Sequence, residues 1–176
     1  MLIDVPSPID LRNMNDAREW ADSALLKRPY RPEFFAAFAL AISTQSKGEC
    51  ARVLALGSGP GFLAEYLLTA LPRIDYVALD FSGAMHQLAS ERLGISAKRV
   101  KFIERSFREE AWFHELGLFQ CVVTNQAVHE LRHKGYATTL HQQVREILVN
   151  GGSYMVCDHF VGDGGMSNSD LYMTIE

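Results

Sequence analysis

The feature that most constrains this chain is a glycine-rich turn between an apolar run and an amphipathic pattern, within residues 52–68. The apolar run, residues 53–56, predicts a short buried strand. Apolar residues then recur at helical spacing from Phe62, and we expect Pro72 to end that helix. We expect Pro60 at the first helical position, where a missing N–H is tolerated. Such a turn directs backbone N–H groups and a positive dipole end at a ligand.

The spacing of the glycines narrows the class of ligand. A dinucleotide-binding turn has the pattern G-x-G-x-x-G. Counted from Gly57, its last glycine would fall at position 62, which is Phe62. Here the third glycine is Gly61, so the pattern is G-x-G-x-G. This stretch alone leaves open a glycine-rich turn in some other α/β protein.

Strand and helix patterns alternate along residues 51–158, after two predicted helices within residues 1–50. The predicted strands span residues 53–56, 74–80, 100–103, 119–125 and 154–157. This alternation predicts a parallel sheet with right-handed crossovers. We therefore expect a three-layer, Rossmann-like, doubly wound α/β fold with strand order 3-2-1-4-5 and N-terminal helices. We divide the chain into a helical lid or cap, residues 1–50, and a ligand-binding domain, residues 51–176.

Local signals place the remaining helices and one candidate lid. Ser82 is expected to cap a helix that Gly94 ends. Residues 108–116 form a charged stretch that predicts a helix, and residues 136–148 form an amphipathic one, ended by the Asn-Gly-Gly of residues 150–152. Arg28, Tyr30 and Arg31 lie in the break between the first two helices, where a loop could fold over a ligand.

Parallel sheets of this kind bind ligands beyond the carboxyl ends of their strands. The residues expected there are Gly57, Asp80, Glu104, Asn125 and Asp158. An acid at the end of the second strand can accept two hydrogen bonds from a ribose diol.

Four of these features, in order, resemble motifs of the class I S-adenosylmethionine-dependent methyltransferases: the glycine turn, Asp80, Asn125 and the stretch 148–158. The resemblance covers residues 51–158. It implies S-adenosylmethionine as the cofactor and a small-molecule acceptor, with the turn close to an amino acid carboxylate. The cofactor-binding residues that it implies are Gly57, Ser58, Gly59, Gly61, Asp80, Phe81, Met85, Ser106, Phe107 and Asn125.

The chain departs from the family pattern at three points. Ala55 stands where the family usually carries an acid, and Ser106 where it often carries an Asp that contacts adenine. The third departure is that no sixth or seventh strand pattern follows residue 160; a helix start at 167–176 is all that we expect there. We therefore expect a truncated chain, or a homo-oligomer that covers the edge of the fifth strand.

Catalysis requires a base only if the acceptor must lose a proton, and His129 is the first candidate and His159 the second. Two other functions stay open. The same fold could be a non-catalytic cofactor-binding or regulatory module. The run from His129 to His133 also reads H-E-x-x-H, the pattern of zinc metalloproteases. We disfavour the protease and expect no metal, because Gly135 follows the second histidine closely and position 139 is Thr rather than a third ligand.

Composition narrows the partners and the compartment. The chain has 176 residues and a formal net charge of -4, so we expect no nucleic-acid partner. We expect no membrane association, because no apolar run approaches the length of a membrane span and no secretory signal opens the chain. Cys50, Cys121 and Cys157 are far apart and predict free thiols, as in the cytoplasm.

Overall fold

The computed structural model of this protein describes residues 7–159. The expectations for residues 160–176 lie outside that range.

The described residues form a five-stranded sheet in which every neighbouring pair is parallel. The strands are β1 (Ala51–Leu56), β2 (Ile74–Asp80), β3 (Val100–Glu104), β4 (Phe119–Asn125) and β5 (Leu148–Cys157), in the order β3-β2-β1-β4-β5. The predicted fold class and strand order are confirmed. The order reverses between β1 and β4, and β3 and β5 lie at the two edges.

Helices cover both faces of the sheet. They are α1 (Met14–Lys27), α2 (Arg31–Ser46), α3 (Phe62–Ala70), α4 (Gly83–Leu93) and α5 (Lys134–Glu146), with short 3₁₀ helices at Gly94–Arg99 and Val128–Leu131. On one face, Phe35, Phe38 and Leu67 pack against the sheet. On the other, Trp112 and Val144 do so. Helix α1 packs on α4 through a smaller apolar cluster.

The cap signals at the starts of helices agree with the structure at Ser82 and differ at Pro60. The Ser82 hydroxyl accepts a hydrogen bond from the backbone N–H of Met85, as the sequence predicts. Pro60 lies in the turn rather than at the first helical position, because Gly61 still has a left-handed φ of 86° and α3 begins at Phe62. A Cβ on Gly61 would lie 3.0 Å from Ala89 of α4, so this glycine lets α3 and α4 approach.

Residues 108–116 do not form the predicted helix but a series of turns. Arg105 holds this segment by donating to the backbone carbonyls of Trp112 and His114, at 2.7 and 3.1 Å. The Trp112 ring is fully buried, and its Nε1 donates to the Gln143 side chain at 2.7 Å. These contacts of Arg105 and Trp112 stabilise the turns that replace the predicted helix.

The boundary between α5 and β5 also differs from the prediction. Helix α5 ends at Glu146, and β5 begins at Leu148, so Asn150, Gly151 and Gly152 lie inside the strand. The pairing of β4 with β5 shifts register between Phe119 and Cys121, and Gly151 has a φ of 76°. A bulge therefore uses the glycines that we expected to end the helix.

None of the helices within residues 7–159 has both the length and the apolar character that crossing a bilayer requires.

Candidate active site

A cleft opens at the carboxyl ends of β1, β2 and β4, beside the point where the strand order reverses. The N-terminal helices also contribute to its wall, through Trp20, Arg28, Arg31 and Phe35. Of the residues that the sequence predicted for the cofactor, the cleft is lined by Gly57, Ser58, Gly59, Asp80, Phe81, Met85, Phe107 and Asn125. Gly61 and Ser106 are not in its wall.

The three glycines of the turn have left-handed φ angles for different structural reasons. A Cβ on Gly57 would lie 2.3 Å from the Cβ of Ala127, so the turn packs directly on the segment after β4. A Cβ on Gly59 would meet nothing within 4 Å, which leaves the backbone of this residue open to the cleft. Gly61, as described above, lets two helices approach. Gly59 is therefore the position where backbone and ligand can come closest.

Asp80 is buried at the end of β2, with 4% of its surface exposed. Its Oδ2 accepts from the Gly59 backbone N–H at 2.8 Å, and its Oδ1 from the Ser82 N–H at 3.0 Å. Burial raises the pKa of Asp80 to about 6, although these backbone N–H groups favour the ionised form. Asp80 thus fixes the glycine turn, and each carboxylate oxygen keeps a lone pair for a ligand hydroxyl.

The remaining predicted residues occupy two neighbouring parts of the surface. Met85 is buried under the cleft. Phe81 and Phe107 line both the cleft and an adjoining depression that contains Ser106. The Ser106 hydroxyl accepts from the Arg108 backbone N–H at 3.2 Å. Three of the residues that the resemblance implies, Phe81, Ser106 and Phe107, therefore lie together in this adjoining depression.

Two polar side chains in the wall of the cleft suit a polar ligand. The Ser58 hydroxyl and the Asn125 Oδ1 are buried, and neither atom has a hydrogen-bond partner. Buried polar atoms are nearly always paired in folded proteins. Together with the open Gly59 backbone and the buried carboxylate of Asp80, they fit a cofactor that has an amino acid at one end and a ribose at the other.

His129 follows β4 on a 3₁₀ helix and contacts two carboxylates. Its Nδ1 lies 2.6 Å from Asp158 Oδ1, at the end of β5, and its Nε2 lies 3.3 Å from Glu130 Oε1. Burial disfavours the imidazolium, but the hydrogen bonds with Asp158 and Glu130 outweigh it and raise the pKa of His129 to about 9. His129 is therefore charged at neutral pH.

His159 lies next to His129 and Asp158, and its pKa is shifted in the opposite direction to that of His129. Its ring centroid is 5.0 Å from that of His129. Burial and the charge of His129 lower the pKa of His159, so it is neutral at pH 7. In the described part of the chain, His129, Asp158 and His159 can also bring one ligand atom each within 4.8 Å of the others, an arrangement that could hold a metal ion.

The H-E-x-x-H stretch lacks the geometry of a metalloprotease helix. His129 belongs to the 3₁₀ helix, Arg132 has a left-handed φ of 62°, and His133 is the N-cap of α5. The His133 Nδ1 accepts from the Gly135 backbone N–H at 3.0 Å. The two histidines are therefore not on one face of one helix, as the metalloprotease pattern requires.

Two contacts in the site have no signal in the sequence. Gln126 has a left-handed φ of 55°, and its side-chain oxygen accepts from Arg31 Nε at 2.7 Å. Asp158 was predicted at a strand end, but the sequence does not indicate that it pairs with His129. Of the five strand ends, Gly57, Asp80 and Asn125 line the cleft, whereas Glu104 and Asp158 do not. Glu104 lies beside Gly83, and Asp158 contacts His129.

Comparison with solved structures shows that known proteins have a similar fold. An O-methyltransferase family protein from Burkholderia thailandensis has a TM-score of 0.66 at 18% identity, over 81% of this chain and 41% of that one. The N-methyltransferase NodS from Bradyrhizobium japonicum, solved with S-adenosylhomocysteine, has a TM-score of 0.59 at 20% identity, over 74% of this chain and 63% of that one. Both share the fold.

Sequence comparison identifies a curated relative and a family. The release factor glutamine methyltransferase of Deinococcus radiodurans is 38% identical over 76 residues, which is 43% of this chain and 27% of that enzyme. This chain thus spans about a quarter of that relative's length. A family model described as a methyltransferase domain matches residues 53–152, more than half of the chain. The chain therefore belongs to this family of S-adenosylmethionine-dependent methyltransferase domains.

Proposed function

We propose that this chain transfers a methyl group from S-adenosylmethionine to a small-molecule acceptor. The observation that carries the proposal is the cleft, which brings together the glycine turn, Asp80 and the residues that follow β4. The family supports the methyl donor.

We assign the cofactor's parts to residues of this chain. The backbone of Gly57, Ser58 and Gly59 binds the amino acid end. Asp80 accepts hydrogen bonds from the ribose hydroxyls, while Phe81 and Phe107 pack beside the adenine. The unpaired Ser58 hydroxyl and Asn125 Oδ1 support the polar part of this assignment, since a bound ligand would supply their missing partners.

S-adenosylmethionine supplies an electrophilic methyl group whose leaving group is a neutral thioether. The acceptor's nucleophile forms the new bond to carbon as the carbon–sulfur bond breaks. The main contribution of the protein is to hold the two reactants in line, and such positioning supplies much of the rate in reactions between two bound molecules. A hydroxyl acceptor would also release a proton, whereas a neutral amine could lose it to solvent later.

The two candidate histidines have different roles in this proposal. A general base works best when its pKa lies near the operating pH. His129, with a pKa raised to about 9, is already protonated at neutral pH and serves to hold positive charge beside the acceptor. His159, with a lowered pKa, is the better proton acceptor at pH 7. This order reverses the one that the sequence favoured.

A non-catalytic cofactor-binding module is the second candidate function. Ala55 favours it, because this buried residue lines the cleft where the family usually carries a carboxylate. Such a module would bind the cofactor and release no product.

Calorimetric titration with S-adenosylhomocysteine, followed by an assay of its release from S-adenosylmethionine, separates these possibilities. We expect binding to the wild type, and turnover with some member of a panel of small alcohols, phenols and amines. Glutamine-containing peptides are tested as a second class of acceptor, because the curated relative is named a release factor glutamine methyltransferase. Binding without turnover in any arm would favour the module, and no binding would refute both.

A further inference from the structure

Arg31 is a buried cation with little to balance its charge. It lies at the start of α2 with 4% of its surface exposed. Its Nε donates to the Gln126 side-chain oxygen at 2.7 Å, and its guanidinium carbon lies 5.4 Å from the centre of the Trp20 ring. Burial and the nearby Arg28 lower the pKa of Arg31 to about 10. A buried guanidinium normally has a carboxylate partner, because burying an unpaired charge is costly.

Arg28 lines the same cleft and, within residues 7–159, also lacks a carboxylate partner. It is half-buried, and its Nε is fully buried without a hydrogen-bond partner. Within residues 7–159, no Asp or Glu oxygen lies within 4.0 Å of either guanidinium. Other arginines in this part of the chain do have such partners: Arg18, Arg52, Arg92 and Arg132 each pair with an acid.

The two arginines belong to the half of the cleft over β4 and β5. Arg31 bonds to Gln126, the residue after β4, and the Gln126 N–H in turn donates to the Cys157 carbonyl at the end of β5. Both arginines act electrostatically on His159, two residues further along the chain. Asp80 and the glycine turn, by contrast, follow β2 and β1. The cations therefore lie on the side of the cleft away from the ribose-binding acid.

We infer that Arg28 and Arg31 form a subsite for a carboxylate on the acceptor. Guanidinium groups bind carboxylates with paired, charge-assisted hydrogen bonds, and two of them converging on one cleft favour an anionic ligand. This inference rests on the proposed function, since it names the class of acceptor for the same site. The methionyl carboxylate of the cofactor is the other possible source of the same chemistry.

The test uses the full chain saturated with S-adenosylhomocysteine, and benzoate as the probe, because Trp20, Phe35 and Phe62 give the cleft aromatic walls. Benzamide has the same shape without the charge. We expect the wild type to bind benzoate at least about 10-fold more tightly than benzamide, and Arg28→Gln and Arg31→Gln each to lose about 10-fold for benzoate alone. Arg18→Gln, which removes an exposed charge from α1, should match the wild type.

Three results would overturn the inference. Benzoate could bind the wild type no better than benzamide, or bind both variants as it binds the wild type. Alternatively, the variants could lose S-adenosylhomocysteine while they retain methylthioadenosine, which lacks the amino acid; the carboxylate would then be the cofactor's. Circular dichroism checks folding, and Arg28→Gln, at a half-buried position, serves if Arg31→Gln does not fold. Failure of the proposed function is distinguishable, because the wild type would then either not bind S-adenosylhomocysteine or bind it and release none from S-adenosylmethionine.

Discussion

Gly57, Gly59 and Gly61 share a left-handed backbone, yet a methyl group added to each would meet a different neighbour. At Gly57 it would meet Ala127, at Gly61 it would meet Ala89, and at Gly59 it would project into open space. A sequence motif treats these positions as equivalent. The structure separates one glycine that faces open space in the cleft from two that pack closely against neighbouring residues.

We predict that Gly57→Ala and Gly59→Ala have opposite main effects. Gly57→Ala should lower the free energy of unfolding by about 3 kcal/mol, because strain at positive φ adds to overpacking against Ala127. Gly59→Ala should lower the free energy of unfolding by only about 1–2 kcal/mol, from strain at positive φ. It should strongly reduce the affinity for S-adenosylhomocysteine. Urea denaturation and calorimetry measure the two effects. Equal affinity in Gly59→Ala and wild type would mean that the cofactor does not approach this backbone.

Asp80 should make cofactor affinity depend on pH. Both oxygens of its carboxylate are pure acceptors only when the group is ionised, since protonation turns one of them into a donor. Burial raises the pKa of Asp80 to about 6. Affinity for S-adenosylhomocysteine should therefore be present above pH 6 and fall as the pH drops through that value. Asp80→Asn should weaken binding by about 1.5–3 kcal/mol and flatten this dependence.

The fragments of the ligand provide the control for Asp80. Methylthioadenosine should lose as much affinity as S-adenosylhomocysteine, whereas free methionine should lose none. Equal losses for both fragments would show that Asp80 acts only through the Gly59 and Ser82 backbone that it holds.

At the scale of elements, the segment between β3 and β4 is stabilised by contacts outside itself. Trp112 is fully buried and donates to Gln143 of α5, and Gln143 Nε2 donates back to the Glu110 carbonyl at 3.1 Å. This exchange ties the turns to the helix that covers the same face of the sheet.

We predict that Trp112→Phe destabilises the fold by about 1–3 kcal/mol, because the Gln143 side-chain oxygen is left without its donor. Urea denaturation monitored by circular dichroism gives the value. Ala111→Ser, at an exposed neighbouring position, should be within about 0.5 kcal/mol of the wild type. If Trp112→Phe were as stable as the control variant, the hydrogen bond to α5 would not hold this segment.

At the scale of the whole molecule, the two edges of the sheet differ in protection. The β3 edge is five residues long and carries the exposed Lys101, a residue type that discourages edge pairing. The β5 edge is ten residues long, and its last four residues, Tyr154–Cys157, are apolar and only half-buried. Within residues 7–159, β5 pairs with β4 alone.

We predict that this chain self-associates through β5. Size-exclusion chromatography with light scattering should show a dimer at micromolar concentration, and Val156→Lys should shift it toward the monomer by placing a charge on the edge. Wild-type protein that stays monomeric at high concentration, with the same stability as Val156→Lys, would contradict the prediction.

The amino-acid sequence was sufficient to predict the order of the strands and their arrangement in the sheet. Two strands, Ile74–Asp80 and Phe119–Asn125, begin and end where the sequence predicts, because polar and turn-forming residues flank their apolar runs. The same reasoning predicts that the glycine turn, Asp80 and Asn125 lie near one another, because the carboxyl ends of parallel strands meet at one edge of the sheet. These inferences depend on neighbouring residues and on the order of the helices and strands, and both can be read directly from the sequence.

The side-chain contacts of the site, by contrast, could not be predicted from the sequence. Arg31 and Gln126 are 95 positions apart, and His129 and Asp158 are 29 apart. The H-E-x-x-H stretch is not one helix because Arg132 adopts a left-handed conformation that no pattern indicates. The charge on His129, and the absence of a carboxylate beside Arg28 and Arg31 within residues 7–159, follow from such encounters. Periodicity fixes which face a residue occupies, but burial and partners depend on register and loop conformation, which the packing of the whole molecule sets.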